Sequence, residues 1–160
     1  MKLYFKDNFF NSGKTEILGE QKEVLGMLDL KSGFSSSMDV YDGSGTLVYS
    51  GKFPFFSSKW DITNPDGEVV GKLRSRMSFS QKYEYTSSIM GCFQITSPAF
   101  SKEYEIHNEN GGLIASFEKI SGWFSSEAYC LNNHSLELDT YELVAVIMGM
   151  NAIKRQQQNA

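Results

Sequence analysis

One segment near the C-terminus is apolar on every side, and it limits what this chain can fold into more than any other feature. Residues 143–150 read Leu-Val-Ala-Val-Ile-Met-Gly-Met and contain no polar side chain. A helix formed by them has no face suited to water, so it has to be enclosed. The run is shorter than the roughly 20 apolar residues that a bilayer-spanning helix needs. We therefore predict a helix over residues 139–155 that is surrounded by the rest of the protein.

The residues that flank this segment carry the signals of a helix start and a helix end. Asp139 can accept hydrogen bonds from the first free backbone N–H groups, and Glu142, three residues later, completes a capping-box pattern. Lys154 and Arg155 fall in the last turn, where cations interact favourably with the helix dipole. The polar residues 156–160 have nothing to bury, and we expect them to form a frayed tail.

Before the helix, three segments repeat one pattern: residues 38–48, 60–70 and 104–114. Each begins with a large apolar residue, an acid and a β-branched residue, which is the period-2 alternation of a strand with one buried face. Each then has Asp or Asn at the first position and Gly at the fourth position of a turn. Those are the preferences of a type I turn followed by a left-handed glycine. The pattern predicts three β-hairpins of the same construction, and a weaker copy lies around residues 83–95.

The remaining strand-like segments turn these hairpins into one large sheet. Ten to twelve strands must curl or close to remove their edges. A closed sheet would enclose the helix, and the helix would fill the interior of the sheet. We predict a single domain over residues 1–155, all-β with one helix: a closed antiparallel meander barrel around the buried C-terminal helix. The further strands are predicted at residues 3–5, 15–18, 24–29, 79–85, 91–96, 123–131 and 135–138.

The interior of this barrel is predicted to be full. The helix occupies its centre, and inward-facing side chains of the strands surround the helix. An interior filled in this way leaves no room for a ligand cavity. The side chains expected inside are those of Val40, Trp60, Ile62, Leu73, Ile106 and Phe117.

Three stretches of the chain resemble the tubby C-terminal-like barrel superfamily, and most closely its LURP-one-related branch. They are the hairpin at residues 60–70, the segment Met77-Ser78-Phe79 and the ending at residues 139–147. The resemblance implies a closed barrel of about twelve strands around a hydrophobic C-terminal helix. Phospholipid scramblases belong to the same superfamily, and tubby proteins bind phosphoinositides through basic residues on one barrel face. The resemblance therefore implies a binding domain, with an anionic lipid as one expected ligand.

The sequence contains no recognisable catalytic or metal-binding pattern. Nucleophilic catalysis usually needs a histidine beside Ser or Cys, but His107 and His134 both fall at predicted turns and no Gly-x-Ser-x-Gly elbow exists. Cys92 and Cys130 have no metal-like spacing with each other or with the histidines, and we interpret them as reduced, buried thiols. We predict a non-enzymatic protein without a cofactor or a metal.

The best candidate for a binding site is basic. Strand alternation places Lys72, Arg74 and Arg76 on one face, about 7 Å apart in succession, and arginine suits bidentate contact with phosphate. Lys52 has the position in the first hairpin that is equivalent to Arg74, and Lys82 follows on the next strand. We predict that these five residues bind an anion or a phosphate group. The alternative interpretation is a solvated outer face that discourages pairing with another sheet.

Aromatic clusters offer a second candidate surface. Residues 53–56 read Phe-Pro-Phe-Phe, and the pairs Phe9-Phe10 and Trp123-Phe124 also place apolar side chains next to each other. Such clusters either form exposed binding tips or fold over the barrel mouth and plug the core. The first possibility would make the protein a protein–protein interaction module with no small-molecule ligand.

Charge and targeting signals limit the partners. The net charge is −4, so the domain as a whole lacks the positive field that nucleic-acid binding requires. The N-terminus has neither a long apolar run nor a small-residue cleavage site. We expect a cytoplasmic protein, peripheral to the membrane if the basic residues bind anionic phospholipid.

Overall fold

A computed structural model describes residues 1–11, 13–31, 37–76, 81–97, 102–123 and 126–159. Twelve antiparallel strands form a closed barrel around one C-terminal helix, so the predicted fold class is confirmed. A short 3-10 helix, Asp7–Phe10, follows the first strand. The elements are β1 (Lys2–Lys6), β2 (Gly13–Leu18), β3 (Val24–Lys31), β4 (Ser37–Asp42), β5 (Leu47–Lys52), β6 (Trp60–Thr63), β7 (Val69–Arg76), β8 (Gln81–Ser87), β9 (Gly91–Ser97), β10 (Tyr104–His107), β11 (Leu113–Ile120), β12 (Ala128–Asn133) and α1 (Thr140–Gln158).

The topology is a simple meander, because each strand pairs with the strands before and after it in the chain. Five consecutive register pairs between β1 and β12, from Lys2–Asn132 to Lys6–Ala128, close the barrel. Strand direction then defines two ends. We call the end at which β1 and the other odd-numbered strands finish the loop end, and the end at which the even-numbered strands finish the turn end. The helix begins at the turn end and finishes at the loop end, where Arg155 donates a hydrogen bond to the carbonyl of Phe10 at 3.1 Å.

The three predicted hairpins are confirmed, and their turns are built identically. Asp42, Asn64 and Asn108 each start a turn that a glycine in the left-handed region completes. In each turn the side-chain oxygen of the first residue accepts two backbone N–H groups at 2.9 to 3.1 Å. This double acceptance explains why the first position holds Asp or Asn.

Replacing Gly67 by alanine should cost about 1 kcal/mol of unfolding free energy. Gly67 has φ 83°, whereas a Cβ built on it meets nothing within 4 Å. The cost is therefore conformational, since L-residues pay roughly 1–2 kcal/mol in the left-handed region. Urea denaturation of Gly67→Ala measures it. The control is Gly67→Asn, because asparagine tolerates this region better; an equal loss for both variants would contradict the conformational explanation.

The helix starts as predicted but ends later. The Asp139 carboxylate accepts hydrogen bonds from the backbone N–H groups of Tyr141 and Glu142, which confirms Asp139 as the N-cap. Residues Gln156–Gln158, predicted to lie in the polar tail, continue the helix with exposed side chains. Glutamine is a good helix former, so a solvated last turn needs no burial. Residues 143–150 are buried on every side, as the apolar run predicted.

The helix approaches the sheet closely because two glycines leave room for one tryptophan. Trp60 is 1% exposed, and its indole lies between Gly51 on β5 and Gly149 on the helix. A Cβ at Gly51 would come within 2.6 Å of Trp60 Cε2, and a Cβ at Gly149 would come within 2.7 Å of Trp60 Nε1. All the side chains predicted to fill the interior are at most 1% exposed: Val40, Trp60, Ile62, Leu73, Ile106 and Phe117.

Two strand predictions need correction. Residues 135–138 form bends and not a strand, because the side chain of Asn133 folds over the connection and donates to the Leu138 carbonyl at 2.9 Å. The last strand begins at Ala128, five residues later than predicted, because Trp123 lies in a bend. The predicted strand at 79–85 is observed as β8, and its first two positions, 79 and 80, lie outside the described residues. The segment 77–79, which carries part of the family resemblance, also lies outside them.

Candidate functional site

The five cations that the sequence singled out lie on the outer surface of neighbouring strands. Along β7, Lys72, Arg74 and Arg76 are exposed and alternate with less exposed residues. Lys52 ends β5, and Lys82 is the second residue of β8; both are exposed. We call these five residues the basic face. Their role in anion binding stays a prediction, and the contacts around them define what they can offer a ligand.

One row across the basic face contains a nearly buried acid. Asp61 on β6 lies in register with Lys52 on one side and with Lys72 on the other. Lys72 Nζ donates to Asp61 Oδ1 at 2.9 Å, and the Asp61 side chain is only 11% exposed. The lysine stem covers the carboxylate while the ammonium stays in water. The Lys72 charge is therefore largely compensated.

A second row is organised by Glu84 on β8. Arg74 Nε and Nη2 both donate to Glu84 Oε1, at 3.0 and 2.8 Å, while Arg76 Nη1 lies 3.5 Å from Oε2. Gln94 Nε2 donates to the same Oε2 at 3.2 Å. The hydrogen bonds from Gln94 and Arg74 hold the pKa of Glu84 below its usual value. Glu84 therefore stays ionised and fixes both guanidinium groups in place.

The third row places two cations opposite each other, and only one of them, Arg76, lies near an acid, Glu84. Arg76 and Lys82 are direct cross-strand partners, a like-charge arrangement that is unfavourable in an antiparallel sheet. Within the described part of the chain, neither Lys52 nor Lys82 has an ion-pair partner. With five cations and the two acids Asp61 and Glu84, the basic face has a net charge of +3. Its free charge lies nearest the loop end.

Acidic residues collect at the opposite end of the barrel. At the turn end, the connections and the strand residues on either side of them hold eight acids, against the cations Lys2 and Lys22 and the α-amino group of Met1. The acids are Glu20, Glu23, Asp42, Asp66, Glu68, Glu109, Glu137 and Asp139.

The same positions at the loop end are basic. Three acids lie there, namely Asp7, Glu103 and Glu127. Six cations outnumber them, although Lys31 pairs with Asp29 and Asp39 and Arg76 pairs with Glu84. The C-terminus of the helix adds Lys154 and Arg155, so the barrel is electrically polarised along its axis. The six cations are Lys6, Lys31, Lys52, Lys59, Arg76 and Lys102.

Two of the aromatic clusters are packed against the barrel. Phe9 and Phe10 are at most 4% exposed and close the core at the loop end, so the plug interpretation is confirmed for this pair. Trp123 stacks on Tyr4 over the outer surface of β1, with ring centroids 4.1 Å apart. Its neighbour Phe124 lies outside the described residues.

The third cluster projects into solvent at the loop end. Phe53 packs edge-on against Trp60 with centroids 5.1 Å apart. By contrast, Phe55 and Phe56 are 88% and 94% exposed and contact each other at a centroid distance of 4.1 Å. This connection between β5 and β6 therefore presents an exposed apolar tip next to the basic face.

Sequence reasoning missed the buried acids. The alternation placed Asp61 on a wet face, but a lysine in register covers it. Glu142 was assigned to a capping box, whereas its side chain turns into the core and accepts a hydrogen bond from the Tyr85 hydroxyl. Burial raises the pKa of Glu142, and this hydrogen bond partly opposes the rise. The available signal was the position of Glu142 directly before a run with no polar face.

The histidines and cysteines do not assemble into a site among the described residues. Cys92 and Cys130 form no disulfide and are only partly buried, so the prediction that they are buried is wrong. His107 Nε2 lies 3.8 Å from Glu105 Oε2, and His134 is exposed after β12. In that part of the chain, no group of three or more His, Cys, Asp or Glu side chains has an arrangement that could hold a metal ion. Nor does any described helix have both the length and the apolarity that crossing a bilayer requires.

Comparison with known proteins supports the fold and assigns the family. No curated protein matches this chain in sequence. The X-ray structure of an Arabidopsis thaliana protein is similar, with a TM-score of 0.68, 10% identity and coverage of 96% of this chain and 91% of that chain. At that identity the likeness concerns the fold alone. The LURP-one-related family model matches residues 1–150, and the chain therefore belongs to the LURP-one-related family.

Proposed function

We propose that this LURP-one-related barrel is a non-enzymatic binding module that engages the phosphate groups of an anionic phospholipid through the basic face. The observation that carries the proposal is a pair of exposed lysines without an ion-pair partner among the described residues, Lys52 and Lys82, of which Lys82 lies directly opposite Arg76. Like charges directly opposite each other are unfavourable, and Glu84 lies near Arg76 but forms no ion pair with Lys82, so a bound anion would relieve the remaining repulsion. A phosphate group supplies that anion, and the Glu84-fixed guanidinium groups are preorganised to contact it.

The test is binding to vesicles that contain phosphatidylserine. Removing two charges near an anionic surface costs about 1 kcal/mol each, so Lys52→Gln/Lys82→Gln should bind roughly 30-fold more weakly. Neither lysine has an ion-pair partner among the described residues, so the variant should fold normally. Raising the salt from about 0.1 M to 1 M shortens the screening length from about 10 to 3 Å and should abolish binding.

Matched controls separate the basic face from net charge and lipid from free phosphate. Lys2→Gln/Lys22→Gln removes the same charge at the turn end and should bind as the wild type does. Neutral phosphatidylcholine vesicles should not bind, whereas competition by inorganic phosphate would identify the headgroup and not the bilayer as the ligand. Absence of binding to phosphatidylserine vesicles at low salt would rule out the proposal.

A second candidate function is protein binding, and exposed apolar residues at both ends favour it. Phe55 and Phe56 project from the loop end, while Ile89 and Leu136, 85% and 103% exposed, lie at the acidic turn end. A partner held by apolar contacts would keep its affinity at high salt, whereas binding to anionic lipid weakens. Salt dependence therefore distinguishes the two candidates.

A further inference from the structure

We propose that the loop end is the surface by which the barrel docks on an anionic bilayer, with Phe55 and Phe56 inserted among the lipid headgroups. The inference rests on the proposed function, because it assumes an anionic lipid surface. It adds an insertion element that the basic face does not contain. It also fixes the orientation of the protein on the membrane.

The Phe55–Phe56 tip is held out from the body by its own turn. The backbone N–H of Ser57 donates to the Pro54 carbonyl at 3.0 Å, and Phe56 has φ 57°. A bulky residue rarely adopts the left-handed region, and such conformations persist where the surroundings impose them. Here the conformation keeps two large apolar rings in water, although the ring of Phe53, two residues before Phe55, packs against Trp60.

The base of the same loop is anchored on both sides. Phe53 packs against Trp60 in the core, and Gln156 Nε2 from the helix donates to the Ser57 carbonyl at 3.4 Å. The tip is thus a preorganised apolar projection and not a loose loop. A small apolar projection beside cations is the arrangement by which peripheral proteins combine partial insertion with attraction to anionic lipids.

Exposed cations lie at the same end of the barrel as the tip. Lys52 and Lys59 lie on either side of the loop that carries it, and Arg76 and Lys82 lie on the next two strands. Lys59 too has no ion-pair partner among the described residues. An anionic headgroup layer around inserted phenylalanines would neutralise these charges.

The charge polarity of the barrel selects the orientation. An anionic surface attracts the basic loop end and repels the acidic turn end, so the barrel axis should stand close to the bilayer normal. The helix C-terminus then points at the membrane. A protein partner would not require this polarity, and for that reason we favour a bilayer as the binding partner of the loop end.

The experiment compares two double variants on phosphatidylserine vesicles. Phe55→Ser/Phe56→Ser should weaken binding by at least about 10-fold, because burial of each ring contributes a sizeable part of the value for a fully buried phenylalanine. Ile89→Ser/Leu136→Ser removes two exposed apolar side chains at the turn end and should bind as the wild type does. Phe55 and Phe56 are almost fully exposed and contact each other, so their replacement should leave the fold intact. Thermal melting of both double variants should be unchanged.

A depth measurement provides the second readout. The fluorescence of Phe56→Trp, corrected for that of the wild type, should shift to the blue with vesicles and be quenched by brominated lipid, whereas Ile89→Trp should show neither change. If Phe55→Ser/Phe56→Ser binds like the wild type while Lys52→Gln/Lys82→Gln is weakened, the insertion is overturned and the proposed function stands. If the wild type does not bind these vesicles, the proposed function fails and the insertion with it. Loss of a protein partner without loss of vesicle binding would assign the tip to that partner.

Discussion

Replacement of Gly149 by leucine should destabilise the protein by at least about 3 kcal/mol, a large part of the 5–15 kcal/mol that holds a typical domain together. Even a Cβ at this position would lie 2.7 Å from Trp60 Nε1 and 2.9 Å from Leu73 Cδ2, both in the fully buried core. Over-packing of this kind typically costs 1–3 kcal/mol or more, and leucine adds three further carbons. Urea denaturation followed by circular dichroism measures the loss.

Helix propensity alone predicts that Gly149→Leu would stabilise the protein. Glycine in a helix interior is about 1 kcal/mol worse than alanine and nearly as much worse than leucine. If Gly149 were exposed, leucine would stabilise the helix. The control Gln157→Leu places the same side chain on an exposed position of the last turn and should change stability by less than about 0.5 kcal/mol. Equal stability of Gly149→Leu and the wild type would show that the helix does not lie against Trp60.

The Tyr85–Glu142 hydrogen bond is the second place where a small change should have a large effect. Tyr85→Phe removes the hydroxyl that donates to the buried Glu142 carboxyl and should cost about 1–3 kcal/mol at neutral pH. Gly71 makes room for this hydroxyl, since a Cβ there would collide with it. Tyr104→Phe is the matched control, because the Tyr104 hydroxyl is buried without a hydrogen-bond partner among the described residues. Its removal should be neutral or slightly stabilising, and equal losses for the two variants would contradict the role of the hydrogen bond.

The same pair should give a pH dependence of defined sign. Burial raises the folded-state pKa of Glu142 above its ordinary value of 4.5, so the folded state holds this proton more tightly than the unfolded state does. Its contribution to stability is therefore present below the ordinary pKa and is lost as the pH rises through the folded-state pKa. Glu142→Gln lacks this titration. The difference in unfolding free energy between Glu142→Gln and the wild type should grow in favour of the variant from about pH 4 upwards; a constant difference would contradict the raised pKa.

Local patterns were enough to predict most of the fold. The turn residues Asp42, Asn64 and Asn108 act through hydrogen bonds within four residues, so the sequence reports them directly. The apolar run of the helix likewise predicts its burial directly, because it contains no polar side chain. The error at residues 135–138 has the opposite origin, since the side chain of Asn133 competes with strand pairing there.

The candidate site was only partly predictable, because its properties depend on neighbours across the sheet. Alternation along β7 correctly placed Lys72, Arg74 and Arg76 outside. Which of them are compensated depends on the register of β6 and β8, which brings Asp61 and Glu84 beneath them. The charge polarity has the same cause. Its residues are scattered along the chain and meet only because the strands alternate in direction.

Closure of the sheet determines how any partner can be recognised. Each of the twelve described strands has a neighbour on both sides, and every seam except the one between β1 and β2 has at least three described register pairs. Outside that one seam, the barrel offers no row of free backbone N–H and C=O groups to an incoming peptide. Recognition by β-augmentation, in which a ligand adds a strand to a sheet edge, is therefore excluded at those eleven seams. The seam with the fewest register pairs lies between β1 and β2, where Tyr4–Leu18 is the single described pair. Away from the β1–β2 seam, a ligand must be recognised by side chains, on the outer surface or at the two ends.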